Sequence, residues 1–263
     1  MKPTPSASPT RRSARLSGTA APSDLPIAHI VHFVLDRSGS ISSMGNAPAE
    51  QICASIQELK DESEQSGVIT RVSITTFDDR SSTFMDNVEL NNNPNLPLYS
   101  QYREALAPRG MTRLYDTMAE EISNLEKARD AFVEGLPAAV KQLNPKVICS
   151  IMVLTDGADN TSKMHTQASV AERLGAARAN GVNAIFLAAN IDASTEGAAL
   201  GFAKAATVQM DSSYAGASQC MRTVSKGLRR ASSGDTGTDY SAGSIKLSDT
   251  APTMPPMPQL RRY

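Results

Sequence analysis

The chain has 263 residues and a net charge of −1, so it lacks the bulk charge that would draw it to nucleic acid or an anionic membrane. It holds three cysteines, an odd and sparse count. No CxxC pair and no Cys/His spacing occurs, so neither a zinc site nor a disulfide framework is indicated. Cys149 sits inside an apolar run, where a small buried thiol is the default reading. No apolar stretch reaches the roughly 18 residues that a membrane helix needs. The N-terminal segment has no apolar h-region, which predicts an intracellular, cytoplasmic protein. No P-loop G-x-x-x-x-G-K-[ST] is found, and no Ser/His or Cys/His arrangement suggests a nucleophile.

What remains is ordinary for a globular protein: 40% hydrophobic and 20% charged residues. Residues 1–26 are rich in Pro, Ser, Ala and Arg with the single acid Asp24, a composition that cannot bury a core. A solvated tail, an organelle transit peptide, and a basic patch at Arg11, Arg12 and Arg15 for nuclear import or nucleic acid all fit it. Residues 231–263, rich in Ser, Gly, Asp, Thr and Pro, read as a second disordered tail. Within it, Pro252, Pro255, Pro256 and Pro258 before Arg261-Arg262 form either plain linker or a polyproline II ligand. Leu228-Arg229-Arg230-Ala231-Ser232 resembles a basophilic kinase site, which makes Ser232 a candidate phosphosite.

Between the tails, residues 27–230 alternate strand and helix patterns. Three apolar runs, Ile30–Leu35, Val147–Leu154 and Val182–Ala189, are strand-length and apolar on both faces. Val68–Phe77 alternates and reads as a further strand, Ser82–Leu90 as an edge hairpin arm, and Thr207–Met210 as a brief strand. Apolar residues at helical spacing mark helices: Ile52, Ile56 and Leu59, with Asn46 as expected cap; Leu114, Met118, Ile122 and Leu125; a shorter Ala138–Leu143; Val170, Leu174 and Ala177; Ala198, Ala199 and Phe202; and Ala217, Met221, Val224 and Leu228. The Asn-rich stretch 91–95 breaks regular structure. The prediction is one doubly wound α/β domain: a mostly parallel sheet with one antiparallel edge strand and helices on both faces.

Asp36-Arg37-Ser38-Gly39-Ser40 follows the first buried strand directly. It sets one carboxylate and two hydroxyls on alternate positions of a tight loop, an oxygen-rich arrangement that suits a hard cation. Thr112 opens a helix after Arg109-Gly110-Met111, where its hydroxyl can cap that helix or bind a ligand. Asp156 ends another buried strand in Thr-Asp-Gly-Ala-Asp-Asn. In a doubly wound sheet such strand ends converge at the switch point. The other candidates have simpler duties. Asp78, Asp79, Asp159 and Asp192 read as turn or cap residues, Asp116 as a helix-dipole partner, His29 and His32 as packed or edge histidines, and His165 as a helix-start residue.

D-R-S-G-S, G-M-T-R-L-Y-D-T and T-D-G-A-D-N, in that order and separation, resemble the three-part motif of a von Willebrand factor type A domain. The resemblance covers roughly residues 28–230. It implies a metal-ion-dependent adhesion site that holds Mg²⁺ or Mn²⁺ on Asp36, Ser38, Ser40, Thr112 and Asp156, with no core ligand substituted. It implies a binding module, monomeric on its own, whose open metal position takes a Glu or Asp of a partner protein. Two other functions stay on the table. One is a Mg²⁺-dependent phosphoryl-transfer enzyme or hydrolase using Asp36, although Ser38 stands where its second carboxylate belongs. The other is nucleic-acid binding through the N-terminal tail.

Overall fold

The structure, a computed structural model, describes residues 26–235. The tail expectations for 1–25 and 236–263, including the arginine patch and the proline-rich segment, lie outside the described residues. Strand β1 (Ala28–Asp36) is buried at all nine positions. The cause is its apolar sequence, which offers side chains to both faces. β1 pairs in parallel with β2 (Ile69–Phe77) on one side and β4 (Val147–Thr155) on the other. The six-stranded sheet runs β3-β2-β1-β4-β5-β6, with β3 (Ser81–Glu89) antiparallel at one edge. β5 (Val182–Ala188) and β6 (Thr207–Gln209) complete the parallel part. This is the predicted α/β architecture.

Alternation along β1 builds two cores. Val31, Phe33 and Leu35 pack with α1 (Ala47–Ser66), α7 (Tyr214–Ser232) and Tyr102 of α2 (Tyr99–Ala105). Ile30 and Val34 pack with α3 (Leu114–Gly135), α5 (Gln167–Ala179) and Ala193 of α6 (Ala193–Ala199). A short α4 (Ala138–Lys141) precedes β4. Among the described residues no helix is long and apolar enough to cross a membrane.

Several expectations change. Helix α2 falls in a stretch that had no helical reading; only Tyr102 of it is buried, so it carries little apolar period. Asn46 precedes α1 but donates no side-chain cap; Pro48, in the first turn, supplies a preset φ instead. Gly67 closes α1 in the left-handed conformation, φ 75°, as a terminating glycine should. α7 continues to Ser232, and Ala231 and Ser232 are buried.

Ser232, the candidate phosphosite, lies in the last turn of α7. Its hydroxyl is hydrogen-bonded at 2.8 Å to Nδ1 of His29, whose Nε2 meets the Ser150 hydroxyl at 2.8 Å. A kinase needs an exposed, extended segment. Here the serine is the last turn of a docked helix and 1% exposed.

Candidate metal centre

Asp36 ends β1 and is fully buried. Its Oδ1 accepts the Ser38 N–H at 2.6 Å, which folds the loop back over the carboxylate. Its Oδ2 accepts the Thr155 hydroxyl at 2.7 Å, which ties β1 to the end of β4. The Ser38 and Ser40 hydroxyls lie 3.1 Å apart, and Ser40 donates to Oδ1 of Asp156 at 2.6 Å. Four of the five expected ligands therefore form one connected set: Asp36, Ser38, Ser40 and Asp156.

Thr112 reaches the set through its loop. Gly39 N–H donates to the Gly110 carbonyl at 3.2 Å, and Arg109 N–H to the Arg37 carbonyl at 2.7 Å, so the 108–112 loop lies along the first loop. A Cβ on Gly157 would sit 3.6 Å from the Thr112 hydroxyl oxygen, which places Thr112 beside the Asp156 turn. Thr112 does not cap α3: the position before that helix is Arg113, and no side-chain cap bond forms there. Asp159 and Ser162 do that work, accepting the N–H groups of Tyr115 and Asp116 at 3.2 and 3.0 Å. The turn-and-cap reading holds for Asp159. It holds for Asp192 too, which caps α6 through the Thr195 N–H at 3.0 Å.

Gly110 has φ +68°, and a Cβ there would meet Asp79 Oδ2 at 2.9 Å and Asp78 Cβ at 3.1 Å. Glycine alone satisfies both the backbone region and that close approach.

Among the described residues, neither Asp36 nor Asp156 is in an ion pair. Burial pushes the Asp36 carboxyl up to about 6, against hydrogen bonds from Ser38 and Thr155, and the neighbouring Asp156 raises it further. Burial also raises Asp156, although the Ser38 and Ser40 hydroxyls oppose the shift. Asp156 Oδ2 is buried with no hydrogen-bond partner. Two carboxylates facing one spot, with an orphaned oxygen among hydroxyls, fit a divalent cation that prefers oxygen ligands. Among the described residues no group of three or more His, Cys, Asp or Glu could hold a metal. A cation at this spot would rest on hydroxyls as much as on carboxylates.

Three framing residues carried no functional signal in the sequence. Asp78 is buried and bridges Arg37 Nε at 2.9 Å and Arg109 Nε at 2.7 Å, so it holds the first two loops together. Asp116 is no mere dipole partner. It accepts the N–H groups of Lys163, Met164 and His165 at 2.9, 3.0 and 2.7 Å, besides Arg113 Nε at 3.1 Å. Asn160 accepts the Thr112 N–H at 2.8 Å. Apart from the Arg113 contact, each joins residues tens of positions apart, which no local pattern reveals. On the α3 side of the sheet, His32 bonds Glu121 at 2.9 Å in a buried pair; it is packed, as expected. Burial raises Glu121, but hydrogen bonds from His32, Asn124 and Thr75 outweigh it and hold the carboxyl low.

No family model matches the sequence, and no curated protein does. Solved structures are similar in shape. The pilus adhesin SpaC from Lactobacillus rhamnosus GG, in an open conformation, aligns with a TM-score of 0.52 and 12% identity over 79% of this chain and 30% of that one. The PilB minor pilin from Streptococcus sanguinis aligns at 0.51 and 13% over 78% and 62%. A von Willebrand factor type A protein from Catenulispora acidiphila aligns at 0.50 and 13% over 77% and 43%. The chain thus spans from 30% to 62% of the length of these three structures. The likeness shows the fold: a mostly parallel, six-stranded α/β sheet shared with a von Willebrand factor type A structure.

Proposed function

We propose that this protein is a metal-dependent protein-binding module. Mg²⁺ or Mn²⁺ would be held by Asp36, Ser38, Ser40, Thr112 and Asp156, and would take a Glu or Asp of a partner protein at an open position. The observation that carries this reading is the chain of contacts from Asp36 through Ser38 and Ser40 to Asp156, which ends on the unpartnered Asp156 Oδ2. Two carboxylates neutralise a divalent cation formally, and neutral hydroxyls leave it electrophilic enough to take a further carboxylate.

A phosphoryl-transfer or hydrolase reading has less support. Such chemistry wants a general acid and base two residues beyond the strand-end Asp. Ser38 occupies that place, and its hydroxyl is engaged with Ser40. We read the protein as one that assembles a complex without chemistry.

The test is thermal unfolding in EDTA, Mg²⁺ or Mn²⁺, for the wild type and Asp36→Ala. A ligand that binds only the native state raises the melting temperature with its occupancy. The expected result is a metal-dependent rise in the wild type that is absent in Asp36→Ala. An equal rise in both proteins refutes the assigned site.

A further inference from the structure

Among the described residues, the large apolar side chains left exposed are few: Leu98, Tyr99, Met111, Leu143, Met164 and Tyr214. Two of them stand on the loops that would carry the metal. Met111 directly precedes Thr112 and is 49% exposed. Met164, on the loop that follows Asp156, is 79% exposed. The two loops are fastened side by side, because the Thr112 carbonyl accepts the N–H groups of Asn160 and Thr161 at 2.9 and 3.2 Å.

Neither methionine is on a slack segment. The Met111 N–H is held by Asp79 Oδ1 at 3.0 Å, and the Met164 N–H by Asp116 Oδ1 at 3.0 Å. The backbone is tied inward at the very residues whose side chains stand outward. A fixed backbone lowers the ordering cost of contact, and methionine is flexible and polarisable enough to fit varied apolar partners.

Charge on this rim is divided the same way. Three of its carboxylates are engaged with the loops: Asp78 with Arg37 and Arg109, Asp116 with the 163–165 backbone, and Asp159 with Tyr115 and Ser162; Asp79 holds the Met111 N–H but is itself exposed. Outward stand Arg109, whose side chain is 52% exposed, and the exposed Lys163. The surface beside the metal position therefore presents two apolar side chains and two cations, with Asp79 as the exposed carboxylate among them.

We infer that the site takes a partner segment in which the metal-seeking Glu or Asp has bulky apolar neighbours, which lie on Met111 and Met164. This rests on the metal-binding reading above and adds the partner's sequence character to it. A segment with a carboxylate and apolar side chains complements the metal, the two methionines and the outward Arg109 and Lys163 at once.

The test pans random dodecapeptides, displayed on phage, against the full chain in Mg²⁺ and elutes them with EDTA. The wild type is compared with the double variant Met111→Ser/Met164→Ser. Metal-dependent melting of each protein reports fold and metal binding separately. The expected result is enrichment of Glu or Asp with Leu, Phe, Met or Tyr within two positions, and at least a tenfold loss of recovery on the double variant while its metal-dependent melting rise persists. Enriched acidic peptides without apolar neighbours, recovered equally by both proteins, overturn the inference and leave the metal reading intact. So does a wild type that gives no EDTA-eluted peptides yet still melts higher with metal. A wild type without the melting rise overturns both readings.

Discussion

Asp116 offers the sharpest test of how the loops of the candidate site are held. The carboxylate accepts three backbone N–H groups from the 163–165 stretch and one Arg113 Nε–H, and it is 1% exposed. Hydrogen bonds to a charged acceptor contribute about 1.5–3 kcal/mol each. Three at the low end come to about 4.5 kcal/mol, but Lys163 and Met164 are exposed, so water reaches their N–H groups once the carboxylate is gone. Asp116→Ala should therefore lose about 3 kcal/mol. For a domain of this size that lowers the melting temperature by roughly 6–12 °C. Asp116→Asn keeps one acceptor oxygen and should lie between the wild type and Ala.

The pH dependence supplies an internal control. Burial raises the Asp116 carboxyl, but the three N–H groups and Arg113 outweigh it and hold it below the ordinary carboxylate range. A depressed acid contributes stability that is present above its unfolded pKa and is lost as pH falls through the folded one. The gap between wild type and Asp116→Ala in urea unfolding should be full at pH 7 and shrink below about pH 4. A gap under about 1 kcal/mol at pH 7, or one that does not narrow in acid, refutes the assignment of Asp116 as the anchor of this loop.

Three further outcomes follow from the buried polar groups of the α7 side. Burial lowers His29 to about 3, so the folded protein keeps it neutral while the unfolded chain protonates near its ordinary value of 6.5. Stability should therefore be full above that value and fall by up to about 1.4 kcal/mol per pH unit on the way down to the folded pKa, a slope that His29→Gln should flatten in urea titrations at stepped pH. Ser232→Ala, which removes a hydroxyl bonded to His29, should cost about 1–2 kcal/mol, and Ser232→Asp more, because it buries a charge. Mass spectrometry should find no phosphate on Ser232 after a basophilic kinase acts on the folded protein, and phosphate there after it acts on the unfolded chain; phosphate on the folded protein would refute the burial argument.

The fold was legible because its signals are local. Ile30–Leu35 is apolar on both faces, and so are the runs around Ile151 and Ile185; such runs can only be interior strands, and the intervening helical periods can only cover them. The ligand candidates were legible for the same reason, each falling directly after a buried strand or before a helix. The misses are equally instructive. Tyr102 is the only buried residue of α2, too few for a helical period to show. Ser232 carries a charged local motif that says nothing of the histidine bonded to it, 203 positions away.

The sequence by itself determined the strand order of burial, the residue types at each strand end, and the places where glycine must turn the chain. These depend on side-chain period and backbone freedom, which operate over a few residues. Only the tertiary structure decided that Ser40 donates to Asp156 across 116 positions, that Asp78 and Asp116 serve the loops, and that Met111 and Met164 are each exposed on loops joined by backbone hydrogen bonds. Those facts depend on which loops the sheet brings to its carboxyl end and which carboxylates the buried N–H groups claim. That competition is settled by distance in space, and distance along the chain does not report it.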